Sequence, residues 1–219
     1  MAKKKADALR DKLLDATLAH VPFDGWTETA ILAGAKDVEI DAAAAHRAFP
    51  GGPLAVLEYF NARADREMEA ALAKHKPAPP RLRDRIALAI RLRLEANAPH
   101  REAVRRGLSF LALPQNAPVG AKCLYRTVDA IWHAAGDMST DFNFYTKRAL
   151  LAGVYSATVL YWINDASEGF ARTWTFLDRR LDEVIRVFGG IGRVARGIDR
   201  LPDPFKLFRP PAARRPRYR

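Results

Sequence analysis

The sequence predicts an all-α fold, and three observations carry that prediction. Apolar residues recur at spacings of three and four along almost the whole chain. No stretch alternates apolar and polar residues over a useful length, as a strand with one buried face does. Proline and glycine fall at intervals that cut the chain into pieces of helical length. With 219 residues, the chain is long enough to bury a sizeable core.

The first helix is expected from Ala6 to His20, carrying Leu9, Leu13, Leu14 and Leu18 on one face. It should stop at Val21-Pro22, because a proline disfavours helical geometry in the residue before it. Two short helices follow, Thr27 to Ala35 and Ile40 to Phe49, closed by Pro50-Gly51-Gly52-Pro53. A longer helix, Leu54 to Lys74, leads into Pro77-Ala78-Pro79-Pro80, which reads as a stiff connector between a head (1–76) and a body (81–188). Helices from Arg81 to Ala96, Pro99 to Leu113 and Val119 to Ala135 begin the body.

The stretch 137–188 completes it with a helical pair. From Ala149 to Asn164 there is no charge, and a helix that is apolar all round must be enclosed by other helices or by lipid. The run is too short to span a bilayer, so it is expected to be the buried axis of the body. Asp165 followed by Glu168 has the spacing of a capping box at the next helix start. That helix places Phe170, Trp174, Leu177, Leu181, Val184 and Phe188 on one stripe. Beyond it, Gly189-Gly190-Ile191-Gly192 is expected to act as a hinge, and Pro202 to Arg219, with five prolines, to be mobile.

Charge is uneven. The net is +11, but residues 189–219 hold nine Lys/Arg against Asp199 and Asp203, a net of +7, leaving +4 for everything before them. An anionic partner is therefore expected for the tail rather than the body. Ile191, Val194, Ile198 and Leu201 share one helical face there, and Arg193, Arg196 and Arg200 another. This is the layout of an interfacial amphipathic helix, each arginine worth about 1 kcal/mol near an anionic bilayer. Its four glycines (189, 190, 192 and 197) suit a helix that forms only on contact. A merely solubilising basic tail, and nucleic acid as the competing anion, both stay open.

Catalytic signatures are sparse. His20, His46, His75, His100 and His133 fall on separate elements without metal-site spacing, and no Glu precedes a His by three residues. Gly190-Ile191-Gly192-Arg193-Val194-Ala195 mimics a dinucleotide fingerprint but follows no strand. His133, beside Trp132, reads as a hydrogen-bonded core residue, and Cys123, the one cysteine, as a buried small hydrophobe that cannot form an internal disulfide. Nothing assembles nucleophile, base and orienting group. A non-enzymatic protein with no cofactor and no metal is expected.

Binding is the remaining option. Small residues on the uncharged helix (Ala149, Ala152, Gly153, Ser156, Ala157) either admit a neighbouring helix closely or leave an apolar cavity. In the second case Leu151, Gly153, Val154, Tyr155, Ser156, Thr158 and Trp162, with Trp174 from the next helix, are the candidate lining, suited to a lipid or isoprenoid.

The first 60 residues resemble the helix-turn-helix head of TetR-type repressors, whose third helix reads the DNA major groove. Here Gly25 to Phe49 carries Lys36 and Arg47 against Glu28, Asp37, Glu39 and Asp41, a net of −2, and the third helix is largely alanine. Phosphate neutralisation by Lys and Arg supplies most DNA affinity. The head is thus expected to be a degenerate scaffold without nucleic-acid binding, with a TetR-type regulator of hydrophobic effector as the alternative function.

A second resemblance is more specific. The run Ala134-Ala135-Gly136-Asp137-Met138-Ser139-Thr140-Asp141-Phe142-Asn143-Phe144-Tyr145-Thr146-Lys147-Arg148, with Asp165-x-Ser167 and Thr173-Trp174-x-Phe176-Leu177-x-x-Arg180, is similar to the lipid-binding accessory protein of ubiquinone (coenzyme Q) biosynthesis, the Coq-nine family. The resemblance implies a TetR-like fold and an isoprenoid lipid or quinone precursor held in the body. It also implies membrane docking through a C-terminal amphipathic helix, and presentation of substrate to the di-iron demethoxyubiquinone hydroxylase, with a homodimer expected. Asp137, Asp141, Asn143, Phe144, Tyr145, Lys147 and Arg148 are the implied partner-facing residues; Phe144 stands where the family usually has Trp. The N-terminal Met-Ala-Lys-Lys-Lys-Ala-Asp has no apolar core, and Asp7, Asp11 and Asp15 are unlike a transit peptide. A bacterial, cytoplasmic protein, peripheral on the inner face of the cytoplasmic membrane, is therefore expected.

Overall fold

The computed structural model describes residues 2–136 and 143–198, with side chains over 6–136 and 146–186. Among the described residues all regular structure is helical. In chain order the helices are α1 (Ala2–Asp24), α2 (Glu28–Asp37), α3 (Ala42–Ala48), α4 (Gly52–Lys74), α5 (Leu82–Ala96), α6 (Arg101–Leu111), α7 (Ala117–Ala134), α8 (Asn143–Trp162) and α9 (Ala171–Ile198). Short 3-10 turns, Ala98–His100 and Glu168–Phe170, precede α6 and α9. None of the described helices is long and apolar enough to cross a membrane.

Local chemistry accounts for most boundaries. Thr27 caps α2 by accepting from the Ala30 amide, and Asp41 caps α3 by accepting from the Ala44 amide at 2.7 Å. Helix α1 runs past its expected stop: Pro22 lies in its last turn, where a missing N–H costs a single bond, and Gly25, at φ +71°, closes the helix by donating to the Val21 carbonyl.

The described residues fall into two units, one ending at Leu181 and the other beginning at Asp182, and α9 has residues in both. Within the first unit, α1 and α2 pack so closely that a Cβ on Gly34 would lie 2.6 Å from the Thr17 amide nitrogen. Leu13, Leu14, Leu18 and Val21 of α1 close over Ile31 and Ala35 of α2 and Leu57 and Phe60 of α4. This core reaches into the expected body: Ala103 of α6 belongs to it, and Trp26 donates to the Ala103 carbonyl at 2.9 Å. The helices on either side of Pro77–Pro80 are thus knit together by buried contacts. Elsewhere, Met68 of α4 is fully buried, as are Ile90, Leu94, Val128, Ile131 and Trp162 of the body.

Two expectations need correction here. Helix α8 is not enclosed all round: Gly153, Leu160 and Tyr161 are exposed, because α5 and α7 cover only one side of it and Tyr161 stacks on Phe176 of α9 at 4.7 Å. The backbone is also helical through Gly189, Gly190 and Gly192 to Ile198, where a break in the helix was expected. Glycine costs a helix about 1 kcal/mol per residue but does not forbid its geometry.

Candidate functional site

An apolar cavity of about 380 Å³ lies among α4, α5, α6, α7 and α8. Leu57 and Phe60 come from α4, Leu94 from α5, Val104, Leu108 and Leu111 from α6, Cys123 and Leu124 from α7, and Val159 and Leu160 from α8. Glycine makes the room: Gly107 and Gly120 both border it, and a Cβ at Gly120 would come within 3.2 Å of Leu111. Leu160 is 55% exposed while lining the cavity, so the cavity reaches the surface there. Burial pushes the Cys123 thiol above its ordinary pKa, which keeps it mostly protonated and slow to react at neutral pH, as expected of a small hydrophobe.

One wall is polar. Arg93 of α5, 5% exposed, donates through Nε to Asp65 Oδ1 at 2.8 Å and through Nη1 to the Tyr155 hydroxyl at 2.6 Å. Its Nη2 makes only long contacts, to Thr127 Oγ1 at 3.3 Å, to Asn61 Oδ1 at 3.4 Å and to the Asn61 carbonyl at 3.5 Å. Thr127 in turn donates to Asp65 Oδ1 at 2.9 Å, and Asn97 Nδ2 to the Arg93 carbonyl at 2.7 Å. Desolvation works against the Arg93 charge, but Tyr155 and Asp65 outweigh it and hold the guanidinium ionised. Burial raises the Tyr155 pKa, so the hydroxyl keeps its proton. The result is an apolar chamber with one neutralised ion pair in its wall, a surface for an amphipathic ligand.

Of the residues expected to line a cavity, Tyr155 and Ser156 do so. Leu151, Val154, Thr158, Trp162 and Trp174 are buried in helix packing away from it, and Gly153 faces outward, with nothing within 4 Å of where a Cβ would stand. The reason is the one-sided cover of α8, which turns part of the small-residue run to the surface. Most of the lining comes from α4 to α7. Arg93 and Asp65 had a legible signal: each is a charge at helical spacing among apolar residues, Arg93 with Ala89 and Ile90, and Asp65 with Met68 and Leu72.

The motif residues have structural duties. Asp165 does not make the expected capping box with Glu168. Its Oδ1 accepts from the Ser167 amide and hydroxyl, at 2.9 and 2.7 Å, and its Oδ2 from the Thr173 amide and hydroxyl at the same distances. Burial favours the neutral acid, but these four bonds prevail and hold the carboxyl well below the usual carboxylate range. The turn between α8 and α9 is closed further by Trp174, donating to the Gly169 carbonyl at 2.7 Å, and by Arg101 and Arg105, which donate to the Ile163 carbonyl. Arg148, expected to face a partner, is largely buried and bonded to Asp129 of α7 at 2.6 Å, because α8 begins against α7. Lys147 beside it is half-buried. Asn143, Phe144 and Tyr145 form the first turn of α8, their side chains outside the described set, and Asp137 and Asp141 lie outside the described residues. Ile191, Arg193, Val194, Arg196 and Ile198 lie on the backbone of α9 with side chains not described, and Arg200 and Leu201 beyond the described residues.

Comparison with known proteins agrees with this architecture. The fold is similar to that of a TetR transcriptional regulator from Nitrosomonas europaea, at a TM-score of 0.66 and 20% identity, covering 80% of this chain and 97% of that one. The family model COQ9 matches residues 117–188. Mitochondrial ubiquinone biosynthesis proteins COQ9 are similar over most of the chain. That of Drosophila melanogaster is 36% identical over 84% of this chain, that of Rattus norvegicus 38% over 83%, and that of Homo sapiens 37% over 83%. The chain spans 57 to 60% of the length of these relatives. Their mitochondrial naming contradicts the expected bacterial cytoplasmic location, which leaned on the N-terminal residues. On sequence and fold together, this chain belongs to the COQ9 family.

Proposed function

We propose that the chain serves ubiquinone biosynthesis as a non-catalytic lipid carrier: it docks on a membrane, takes an isoprenoid quinone intermediate into the cavity among α4 to α8, and presents it to the demethoxyubiquinone hydroxylase. One observation carries the lipid reading, a chamber of about 380 Å³ walled by leucine, valine and phenylalanine in a chain of the COQ9 family. That volume lies within the range of small-molecule sites, and a long tail can leave the cavity at Leu160. The names of the relatives support the pathway. Membrane docking is supported by the +7 charge and the two-faced pattern of residues 189–219. The uncharged, exposed stripe of α8 formed by Gly153, Leu160 and Tyr161 supports homodimerisation, and the resemblance of the motif at 134–148 to the family supports contact with the hydroxylase.

Mass spectrometry of lipid extracted from the purified protein tests the proposal, with an isoprenoid quinone or its precursor as the expected content; protein free of lipid would count against it. Truncation after Phe188 should abolish sedimentation with anionic liposomes and leave the helical content of 1–181 in place. Sequence-dependent DNA binding at physiological salt would instead favour a transcriptional regulator.

A further inference from the structure

The Tyr155 hydroxyl accepts from Arg93 Nη1 at 2.6 Å, yet among the described residues no acceptor takes the proton it can donate. Tyr155 is 8% exposed and lines the cavity, as does Arg93, whose Nη2 makes no contact shorter than 3.3 Å. Buried donors are almost always matched, and an unmatched one costs about 1–3 kcal/mol. The spare Tyr155 O–H, beside an Arg93 Nη2 held only by long bonds to Thr127 and Asn61, gives this wall of a largely apolar chamber a place for an oxygen acceptor. The charge balance narrows its chemistry. Arg93 already has its counter-charge in Asp65 at 2.8 Å, so a phosphate would bring an uncompensated negative charge into a buried site beside a carboxylate. A neutral carbonyl, phenol or ether oxygen carries no such penalty.

We infer that Tyr155 and Arg93 form a head-group receptor, so that a ring-headed lipid enters head first, its neutral oxygen accepting from Tyr155 Oη and Arg93 Nη2 while its tail runs out past Leu160. This rests on the lipid-carrier reading and adds orientation and head-group selection to it. The cavity then excludes phosphate-headed lipids by the Arg93–Asp65 pairing rather than by size, and holds the reactive ring inside until a partner draws it out.

Cys123, lining the same cavity and 5% exposed, is a built-in occupancy reporter: a bound lipid should slow its alkylation. The probes are decylubiquinone, squalene as an oxygen-free isoprenoid, and dodecyl phosphate. Decylubiquinone should protect Cys123 at a lower concentration than dodecyl phosphate does. Tyr155→Phe should raise the decylubiquinone concentration for half-protection about tenfold, the value of one hydrogen bond, and leave squalene unchanged. Independently, the infrared carbonyl band of bound quinone should shift to lower frequency in the wild type and return in Tyr155→Phe; if that variant does not fold, the wild-type band decides. An unshifted wild-type band, tighter phosphate binding, or equal weakening of squalene and quinone would overturn the receptor and leave the carrier reading standing. Protection by none of the probes in the wild type would remove both.

Discussion

Asp165→Asn isolates the knot that joins α8 to α9. The carboxylate, 5% exposed, gives one oxygen to the Ser167 amide and hydroxyl and the other to the Thr173 amide and hydroxyl. Asparagine keeps one oxygen, and its NH2 must face the second pair of donors. The hydroxyl of that pair can turn and accept; the backbone amide cannot. An unmet buried donor costs about 1–3 kcal/mol, and loss of charge assistance from the remaining bonds adds to it, so about 2–3 kcal/mol is expected. For a chain of this length each kcal/mol moves Tm by about 2–4 °C, giving a fall of about 4–12 °C followed by circular dichroism. The pH dependence provides a second reading. The folded carboxyl titrates below the unfolded one, so its contribution is fully present above the unfolded value of about 3.9 and is lost as pH falls from there towards the folded value. The gap between wild type and Asp165→Asn should be level from pH 5 to 8 and shrink below pH 4. A gap under about 0.5 kcal/mol at pH 7, or one that stays constant on acidification, would refute the assignment.

Three other perturbations probe the packing. Arg93→Met strands Asp65 in the interior and should cost about 3–5 kcal/mol in urea unfolding, with part recovered in the double variant Asp65→Leu/Arg93→Met. Gly34→Ala and Gly153→Ala should differ in sign. The first drives a methyl into the backbone of α1, a loss of about 1–3 kcal/mol or more; the second meets nothing and gains up to about 1 kcal/mol of helix propensity. Both are read by thermal unfolding. Alkylation of Cys123 should level off at a higher pH in the folded protein than in urea, because burial raises the thiol pKa and only the thiolate reacts; identical profiles would mean an open, solvated thiol.

The sequence by itself determined the all-α fold and the family, because each is written in short-range terms. Three-and-four spacing, Thr27 and Asp41 as caps, and the prolines act within a few residues of where they stand, and the motif around Asp165 is contiguous enough to be recognised. What that motif does was beyond its reach: the spacing Asp165–Glu168 is the same whether a capping box forms or the carboxylate turns to Thr173, and only the path of the turn selects between them. The cavity was decided at a longer range still. Its wall joins residues from Leu57 to Leu160 across five helices, so periodicity along α8 could identify Tyr155 and Ser156 as facing inward but not say that Gly153 faces out. Burial on one helix depends on which sides its neighbours cover, and a period of 3.6 fixes which residues share a face without fixing which face meets the cavity. For Arg93 and Asp65 the sequence showed two charges on apolar faces, 28 residues apart along the chain. Their pairing beneath Tyr155, and the chemistry it lends the chamber, exist only once α4, α5 and α8 have packed.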